Sequence, residues 1–493
     1  MRLTIEAYGG PCDDMPYAGR ADEPMSEFWI GGGALGACKE MASAAHTWGR
    51  IIHGAESFTA DDSERWQQHP ATMKPLGDLA FCLGVNRFVF HRYALQPWRD
   101  RRPGMTMGPW GVHYERTQTW WEMAPAWHEY LARCQLMLRQ GLFVADICYL
   151  QPEAAPQGYQ EHHRNGYDFD NIGADALIER MSVKEGRLML PDGMSYRLLV
   201  LPDVRVMTPR LLRKIGELVE AGATVAGPKP VKSPSLMDYP KCDEEVKRMA
   251  DAIWGDCDGE TVKEHVFGKG RVIWGIMPEE ILRQSGVKPD FGSWVRLNSI
   301  HRATDDTDIY FVANPKPHAV AATCSFRVQG KRPELWWPET GRIEPAALWA
   351  EKDGLTNVTL PLEPSGSVFV MFREKAEGDP AVAVARNGET LQSALEAAPK
   401  ITVTRAVYGV PGDPQRSRDA RDGVQKLVDA GESHFKVSRL AEEGDPAFGT
   451  LKTLEVEYTA NGRTFTAKGN DPDVVHLTAD STRIIVDKAI YGV

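Results

Sequence analysis

The 493-residue sequence has no run of about 18 apolar residues, the length that a membrane-spanning helix requires. It also lacks a basic excess, because Lys and Arg number 57 against 68 Asp and Glu, and the net charge is −11. Proteins that bind nucleic acids neutralise phosphates with clustered Lys and Arg. We therefore expect neither nucleic acid nor a membrane as a partner. The remaining composition, 42% hydrophobic and 25% charged, is typical of a globular protein.

Paired cysteines are missing as well. The eight cysteines form no CxxC motif, and most lie in apolar contexts such as AFCLG, where cysteine behaves as a small core residue. We predict free thiols and no zinc site. The first residues lack the basic and apolar segments of a signal peptide, so the chain as written predicts a cytoplasmic location.

What the sequence does contain is an alternation of strand-like and helix-like segments over residues 1–141. LTIEAY, RIIHGAE and VNRFVFH are typical of strands, and a helix-like stretch follows each of them. Such an alternation predicts parallel strands joined by helical crossovers. A (β/α)8 barrel has eight such units, so these three predict part of a barrel.

The pattern changes after residue 141, and the whole chain is predicted to be an α/β and β multidomain protein. Short apolar strands and the amphipathic segment TPRLLRKIGELVEAG predict a doubly wound, flavodoxin-like α/β domain at 142–283. Residues 284–375 alternate in β fashion, which predicts a β-sandwich. A linker at 374–380 precedes a small β-rich module at 390–493.

That last module contains a short internal repeat. VTRAVYGV at 403–410 recurs as VDKAIYGV at 486–493. Two similar strands of one sheet would produce this repeat, and so would the start of a second copy of the module. Both interpretations stay open.

Charged side chains stand at the ends of the predicted strands. Glu6 lies in IEAYGG, Glu56 in HGAESFT and His91 at the end of VNRFVFH. Barrel enzymes place their chemistry at these carboxyl ends. Glycoside hydrolysis needs one carboxylic acid to protonate the leaving oxygen and one carboxylate to activate water or attack. The alternative is structural: a glutamate paired with an arginine and a hydrogen-bonded core histidine.

Aromatic residues follow these strand ends. The third strand is followed by a loop whose aromatic and histidine side chains are candidates for stacking on or binding a sugar: Tyr93, Trp98, Trp110 and His113. Trp120, Trp121 and Trp127 have the spacing of helix core residues. Glu115 and the Asp13–Asp14 pair are candidate oxygen ligands for Ca²⁺, although no EF-hand spacing supports them.

Two further motifs predict no site. GGGALG at 31–36 matches G-x-G-x-x-G, but the preceding MSEFWI is weak as the first strand of a dinucleotide-binding unit. His162 and His163 are adjacent and would point apart on a regular element, which disfavours a metal site.

IEAYGGPCDDMPYAGRADEPMSEFWIGGG, GAESFT, GVNRFVFHRYALQPW and PGMTMGPWGVHYERTQTWWE together resemble glycoside hydrolase family 106, the bacterial α-L-rhamnosidases. The resemblance extends over residues 1 to about 375. It implies inverting, calcium-dependent removal of terminal α-L-rhamnose from glycosides or polysaccharides on a (β/α)8 barrel. It also implies that Glu56 is the general base, with Glu6 and His91 near the substrate and the calcium ligands unassigned.

The resemblance further implies that IEAYGG falls inside the barrel, since family members are roughly twice this long. The chain would then carry the last three βα units and lack the general acid, so we expect little or no activity from it alone. Family members are usually periplasmic or extracellular. Two alternatives stay open: a retaining glycosidase with Glu56 as nucleophile, and a carbohydrate-binding or scaffold remnant without catalysis.

Overall fold

A computed structural model of the chain describes residues 1–6, 12–64, 66–98, 100–154, 162, 164–377, 380–386, 389–394, 400–429, 433–460 and 462–477. In these residues α/β layers are combined with antiparallel β-sheets. The predicted mixed α/β and β class is confirmed at that level. No helix within the described ranges is long and apolar enough to cross a membrane.

The N-terminal sheet has four parallel strands that pair in sequence order. They are β1 (Thr4–Glu6), β2 (Glu23–Trp29), β3 (Gly54–Thr59) and β4 (Arg87–Phe90). The helices of this region are α1 (Asp14–Gly19), α2 (Leu35–Thr47), α3 (Pro70–Cys82) and α4 (Ala124–Met137), the last preceded by a 3₁₀ turn at Trp121–Met123. Across the described residues this sheet stays open and does not close into a barrel.

Strand β2 corrects the sequence prediction of three βα units, because EPMSEFW is a strand and not part of a loop. It was missed because polar residues interrupt its apolar pattern, and the fold satisfies them individually. Glu23 is buried and forms ion pairs with Arg2 and Arg87. The Ser26 hydroxyl lies 3.2 Å from Nε2 of the buried His53. The polar residues that interrupt the strand pattern therefore form buried ion pairs and hydrogen bonds in the fold.

The two faces of the sheet differ in chemistry. On one face Phe28, Phe58 and Phe88 pack against one another and against the helices, with the ring centroids of Phe28 and Phe58 4.9 Å apart. Side chains alternate along a strand, so Glu27 faces away from the neighbouring Phe28. Phe58 lies at a register irregularity of β3 and has a φ of 62°, so it does not follow the alternation from Glu56. Glu27 and Glu56 are register partners on that opposite face. One face of the sheet thus carries the buried aromatic rings, and the opposite face carries the carboxylates.

The second region supplies a six-stranded sheet. Its elements in chain order are β5 (Leu142–Phe143), β6 (Ile147–Leu150), β7 (Phe169–Ile172), α5 (Ala174–Arg180), β8 (Ser182–Lys184), β9 (Arg187–Met189), β10 (Ser195–Tyr196), β11 (Leu198–Val200), α6 (Pro209–Ala221), β12 (Thr224–Ala226), α7 (Lys241–Trp254), β13 (Glu264–Phe267), β14 (Gly270–Ile273) and α8 (Pro278–Gln284). The parallel strands run β7-β6-β11-β12-β14, and β13 pairs antiparallel at the far edge. This 2-1-3-4-5 order is that of flavodoxin-like sheets. Helix α6 matches the predicted amphipathic segment, with Thr208 capping its start and Gly222 ending it.

Antiparallel β structure follows. The strands are β15 (Phe291–Ser293), β16 (Asn298–Ala303), β17 (Asp308–Ala313), β18 (Val320–Phe326), β19 (Lys331–Trp336), β20 (Ile343–Pro345), β21 (Trp349–Lys352), β22 (Leu355–Leu362) and β23 (Ser367–Lys375). They form one sheet ordered β15-β18-β22-β21 and another ordered β20-β19-β23-β17-β16-β5. The two sheets share a buried core that includes Tyr310, Phe326 and Phe372.

The C-terminal region has a separate small core around Tyr408, Phe435 and Tyr458. Its elements are β24 (Ala383–Arg386), β25 (Glu389–Ser393), β26 (Thr402–Gly409), β27 (Ser417–Asp419), α9 (Arg421–Asp429), β28 (His434–Lys436), β29 (Thr453–Ala460), β30 (Arg463–Asn470) and β31 (Val474–His476), with 3₁₀ turns at Pro414–Arg416 and Val437–Glu443. VTRAVYGV lies on β26, whereas its repeat at 486–493 lies outside the described residues.

Helix α2 joins the N-terminal sheet to the α/β sheet. The buried Lys39 places its Nζ 3.3 Å from Oδ1 of Asp168, just before β7. Ser43 and His46 on the same helix bind the carboxylate of Asp170 within β7, at 3.0 and 2.9 Å. These charges are paired and hydrogen-bonded, as buried charges must be. The eight cysteines are free thiols and all but Cys12 are buried, as predicted.

Candidate active site

Three carboxylates gather near the carboxyl ends of the first three strands. Glu6 is the last residue of β1, and Glu27 pairs in register with Glu56 on the neighbouring strand β3. Glu27 is buried, whereas the Glu56 side chain keeps 28% of its surface exposed. A partly exposed carboxylate beside a buried one, at this end of parallel strands, is an arrangement suited to chemistry on a bound ligand.

The proximity of these carboxylates changes their proton affinity. Partial burial and the negative charges of Glu56 and Glu27 raise the pKa of Glu6 from 4.5 to about 7. Burial and the charge of Glu56 also raise the pKa of Glu27, against the opposing effect of the nearby polar groups of Thr59 and Trp29. Like charges held together disfavour simultaneous ionisation. The cluster therefore retains protons at a pH where isolated carboxylates have lost them.

Two neighbours orient Glu56. The Thr59 hydroxyl donates to its Oε1 at 2.8 Å, and Nε2 of His91 lies 3.9 Å from the same oxygen. The Val112 N–H donates to the His91 carbonyl at 3.0 Å, and the neighbouring Gly111 approaches His91 so closely that a Cβ would lie 2.9 Å from that carbonyl oxygen and 3.0 Å from Nδ1. Gly111 has a φ of 86°, so both its conformation and its surroundings favour glycine.

The loop after β4 brings aromatic side chains to the same end of the sheet. The Trp110 ring meets the edge of Trp29, the last residue of β2, at a centroid distance of 5.8 Å. Tyr93 and Trp98 are exposed on this loop, and Arg101 lies 5.0 Å above the Trp98 ring. Trp110 is thus directly linked to the strand that carries Glu27, while Tyr93 and Trp98 lie further along the loop.

His113 and Glu115 lie inside the loop, not on its surface. Both are buried, and Nε2 of His113 is 3.1 Å from Oε1 of Glu115. The same nitrogen lies 3.0 Å from the Pro103 carbonyl, and the Thr117 hydroxyl bonds Glu115. The structure shows these two residues holding the loop together. A contact of His113 with substrate and of Glu115 with a metal remain predictions.

The structure brings Glu6, Glu56 and His91 together and adds Glu27 and Thr59 to them. Their roles remain predictions. Glu27 was missed together with β2. His162, from the paired-histidine motif, stacks on Tyr149 at 3.6 Å, while His163 lies outside the described residues. Among the residues that the structure describes, no group of three or more His, Cys, Asp or Glu is placed to hold a metal ion.

Comparison with known families shows which family the chain belongs to. The sequence profile of glycoside hydrolase family 106, described as alpha-L-rhamnosidase, matches residues 5–349. The chain belongs to glycoside hydrolase family 106. The match includes the three carboxylates, His91 and the aromatic loop, and it confirms the resemblance seen in the motifs.

Two relatives show the extent of the similarity. A protein of Formosa agariphila named "Putative beta-glucuronidase" is 35% identical over 497 residues, covering 100% of this chain and 41% of its own length. The structure of a rhamnosidase from Novosphingobium sp. PP1Y superposes with a TM-score of 0.70 at 30% identity, covering 90% of this chain and 42% of the other. The chain thus spans about two-fifths of the length of these relatives.

Proposed function

We propose that this family 106 chain takes part in the hydrolysis of terminal α-L-rhamnosides, from glycosides or polysaccharides, with Glu56 as general base. The observation that carries the proposal is the Glu56 carboxylate itself. It is partly exposed within β3, accepts a hydrogen bond from the Thr59 hydroxyl at 2.8 Å and lies inside the segment that matches the family. A base needs solvent access and a fixed orientation, and this side chain has both.

In the proposed inverting reaction, Glu56 removes a proton from water as that water attacks the anomeric carbon. The Thr59 hydrogen bond fixes the carboxylate, so a water bound to it approaches from a defined direction. Glu6, which keeps its proton to about pH 7, is suited to donate a hydrogen bond to a sugar hydroxyl. His91 borders the same space, and the exposed aromatic side chains are suited to stack on the substrate.

A second candidate is a retaining reaction in which Glu56 is the nucleophile and Glu27 its acid/base partner. Register pairing places these residues on neighbouring strands, which lie about 4.8 Å apart. Retaining enzymes hold their carboxyl groups about 5–5.5 Å apart, whereas inverting ones need about 6.5–9.5 Å.

The name of the Formosa relative suggests a glucuronide as substrate. A glucuronide differs from a rhamnoside in its negative charge. A glucuronide carries a carboxylate, which the ionised members of the acidic cluster would repel. To bind a glucuronide, the site would need a cation beside the carboxylate of the sugar. Arg92, directly after His91, is a candidate for that cation because its buried Nε has no hydrogen-bond partner. The acidic cluster favours a neutral sugar, and we propose rhamnose.

Calcium is proposed on the family resemblance, and the described residues fit it only in part. Calcium takes six to eight oxygen ligands, and Oε2 of the buried Glu115 is a carboxylate oxygen without a hydrogen-bond partner. One such oxygen does not make a site. Calorimetric titration of the chain with Ca²⁺, repeated with Glu115→Gln, tests the proposal, and identical heats for the two proteins would remove Glu115 from it.

The experiment on Glu56 replaces the matching segment of the Formosa relative with this chain and assays an aryl α-L-rhamnoside and an aryl β-glucuronide. Glu56→Gln is expected to lower rhamnoside turnover about 10²–10⁴-fold, whereas Glu122→Gln, an exposed glutamate outside the cluster, should have no effect. NMR of the first product separates inversion from retention. Unchanged turnover in Glu56→Gln would refute the assignment.

The 493-residue chain by itself is the second protein to assay. The N-terminal sheet has four parallel strands, half the number that a (β/α)8 barrel needs, so we expect little or no turnover from the chain alone. Turnover near that of the hybrid would place the proton donor within this chain. Glycan binding without turnover, by both the chain and the hybrid, would favour the alternative of a carbohydrate-binding scaffold.

A further inference from the structure

A cavity of about 450 Å³ lies where three segments of the chain meet. Residues 141–145 line one part of it, the β9–β10 hairpin a second, and residues 303–305 at the end of β16 a third. Cavities of this size commonly hold small molecules. In the described part of the chain, its lining shares no residue with the candidate active site, so a ligand here would be bound by different groups.

Arg187 on β9 brings a positive charge to this cavity, and its side chain is partly buried. Its Nη2 donates to the Ser195 hydroxyl oxygen at 2.7 Å and to the Ser195 carbonyl at 3.4 Å, and Nε donates to the same hydroxyl oxygen at 3.3 Å. Among the described residues, Nη1 has no hydrogen-bond partner and no carboxylate forms an ion pair with the guanidinium. A partly buried cation with an unused donor is suited to bind an anion.

The charges around Arg187 leave it without a carboxylate of its own. Asp146 is an acidic residue that acts on it, but the two oxygens of Asp146 already accept from Arg197 at 3.0 Å and from Arg327 at 2.8 Å. Burial and the like charges of Arg197 and Arg327 lower the pKa of Arg187, and the charge of Asp146 does not outweigh them. An anion in the cavity would therefore offset a local excess of positive charge.

Other groups of the lining add hydrogen-bond donors. The Ser195 hydroxyl oxygen accepts from Arg187, so its own proton is free to be donated to a ligand. Strand β5 is an edge strand, and the Val144 N–H that follows it donates to the His301 carbonyl of β16 at 3.0 Å. Because successive residues of a strand direct their peptide groups to opposite sides, the peptide N–H of Phe143 points away from β16 and is a further donor.

We propose that this cavity binds a sugar acid, with the carboxylate of the ligand beside Arg187. A bare inorganic anion would fill little of the cavity, since even a water molecule takes only about 30 Å³ of liquid volume. The exposed Asp305 carboxylate in the lining suits the hydroxyl groups of a sugar, and Leu142 and Val144 provide apolar contact for its carbon atoms. The proposal does not depend on the proposed function.

Calorimetry of the full 493-residue chain with D-glucuronate and with D-glucose tests this assignment, because the two sugars share a ring and differ in the carboxylate. We expect D-glucuronate to bind at least about tenfold more tightly, and Arg187→Gln to remove this preference, since charge-assisted hydrogen bonds are the strong ones. Arg405→Gln, which removes an exposed arginine of the C-terminal region, should leave it unchanged.

A second measurement uses the unaltered chain. D-glucuronate, but not D-glucose, should protect Arg187 from modification by phenylglyoxal, as read by mass spectrometry of the digested protein. Failure of D-glucuronate to bind, equal affinity for D-glucose, or an unprotected Arg187 would each overturn the proposal. Binding of inorganic sulfate that depends on Arg187, without binding of D-glucuronate, would overturn it in favour of a simple anion site.

Discussion

Truncation of Phe81 to alanine tests how the N-terminal sheet is supported by the elements packed against it. Phe81 lies on α3 and is fully buried. Its ring stacks on Phe88 of β4 with centroids 4.4 Å apart and planes 5° apart, and it meets the edge of Phe311 on β17 at 6.0 Å. One side chain thus connects the N-terminal sheet with the antiparallel region.

The magnitude follows from what the truncation removes. Replacement of a buried phenylalanine by alanine costs about 3–5 kcal/mol through lost apolar burial and the cavity that remains. Aromatic pairs add about 0.5–1.5 kcal/mol beyond area burial, and Phe81 loses contacts with both Phe88 and Phe311. We therefore expect a loss in the upper part of this range, about 4–5 kcal/mol, in the free energy of unfolding of this region.

Urea denaturation and hydrogen exchange of the α3 amides would measure the loss, the second because separate regions of a large chain can unfold separately. Phe448→Ala is the matched control, since the same truncation at a ring 94% exposed should change stability by less than about 0.5 kcal/mol. A loss below about 1 kcal/mol for Phe81→Ala would refute the idea that this ring ties the two regions together.

Two further predictions concern protons. Burial alone would lower the pKa of His301, but Asp290 and Asp308 raise it from 6.5 to about 9. The protonated His301 therefore stabilises the fold fully below pH 6.5, and this stabilisation, about 3 kcal/mol, is lost as the pH rises through 9. His301→Asn should flatten the dependence of the unfolding free energy on pH in this range. Glu27→Gln removes one of the charges that raise the pKa of Glu6. Burial and Glu56 are unchanged, so carboxyl NMR should find the pKa of Glu6 below 7 but above 4.5. An unchanged pKa would show that Glu27 does not act on Glu6.

Sequence patterns predicted the elements whose chemistry is uniform. Helices α2, α3 and α6 have clear apolar faces or caps, and all three lie where the periodicity places them. Strand β2 escaped because Glu23 and Glu27 interrupt its apolar residues. The partners that make this burial possible, such as Arg2 and Arg87, are distant in the sequence, so local patterning carries no sign of them.

Some residues of the candidate site could likewise be proposed from the sequence, whereas others depend on tertiary contacts. Glu56 and Glu6 were found because strand-end carboxylates have a local signature. The mutual burial of His113 and Glu115 depends on how one loop folds onto itself, which residue type and spacing do not encode. The raised pKa of Glu6 likewise depends on Glu27, a neighbour that becomes visible only once β2 is placed.

The seating of helix α2 against β7 has a consequence for assembly. Strand β7 is the last strand of the α/β sheet on its side, yet each of its four residues is buried. An uncovered edge strand offers free N–H and C=O groups to strands of other molecules. Lys39, Ser43 and His46 keep α2 fixed over that edge through Asp168 and Asp170. The same buried charges that join two regions of the chain therefore also protect it from edge-to-edge aggregation.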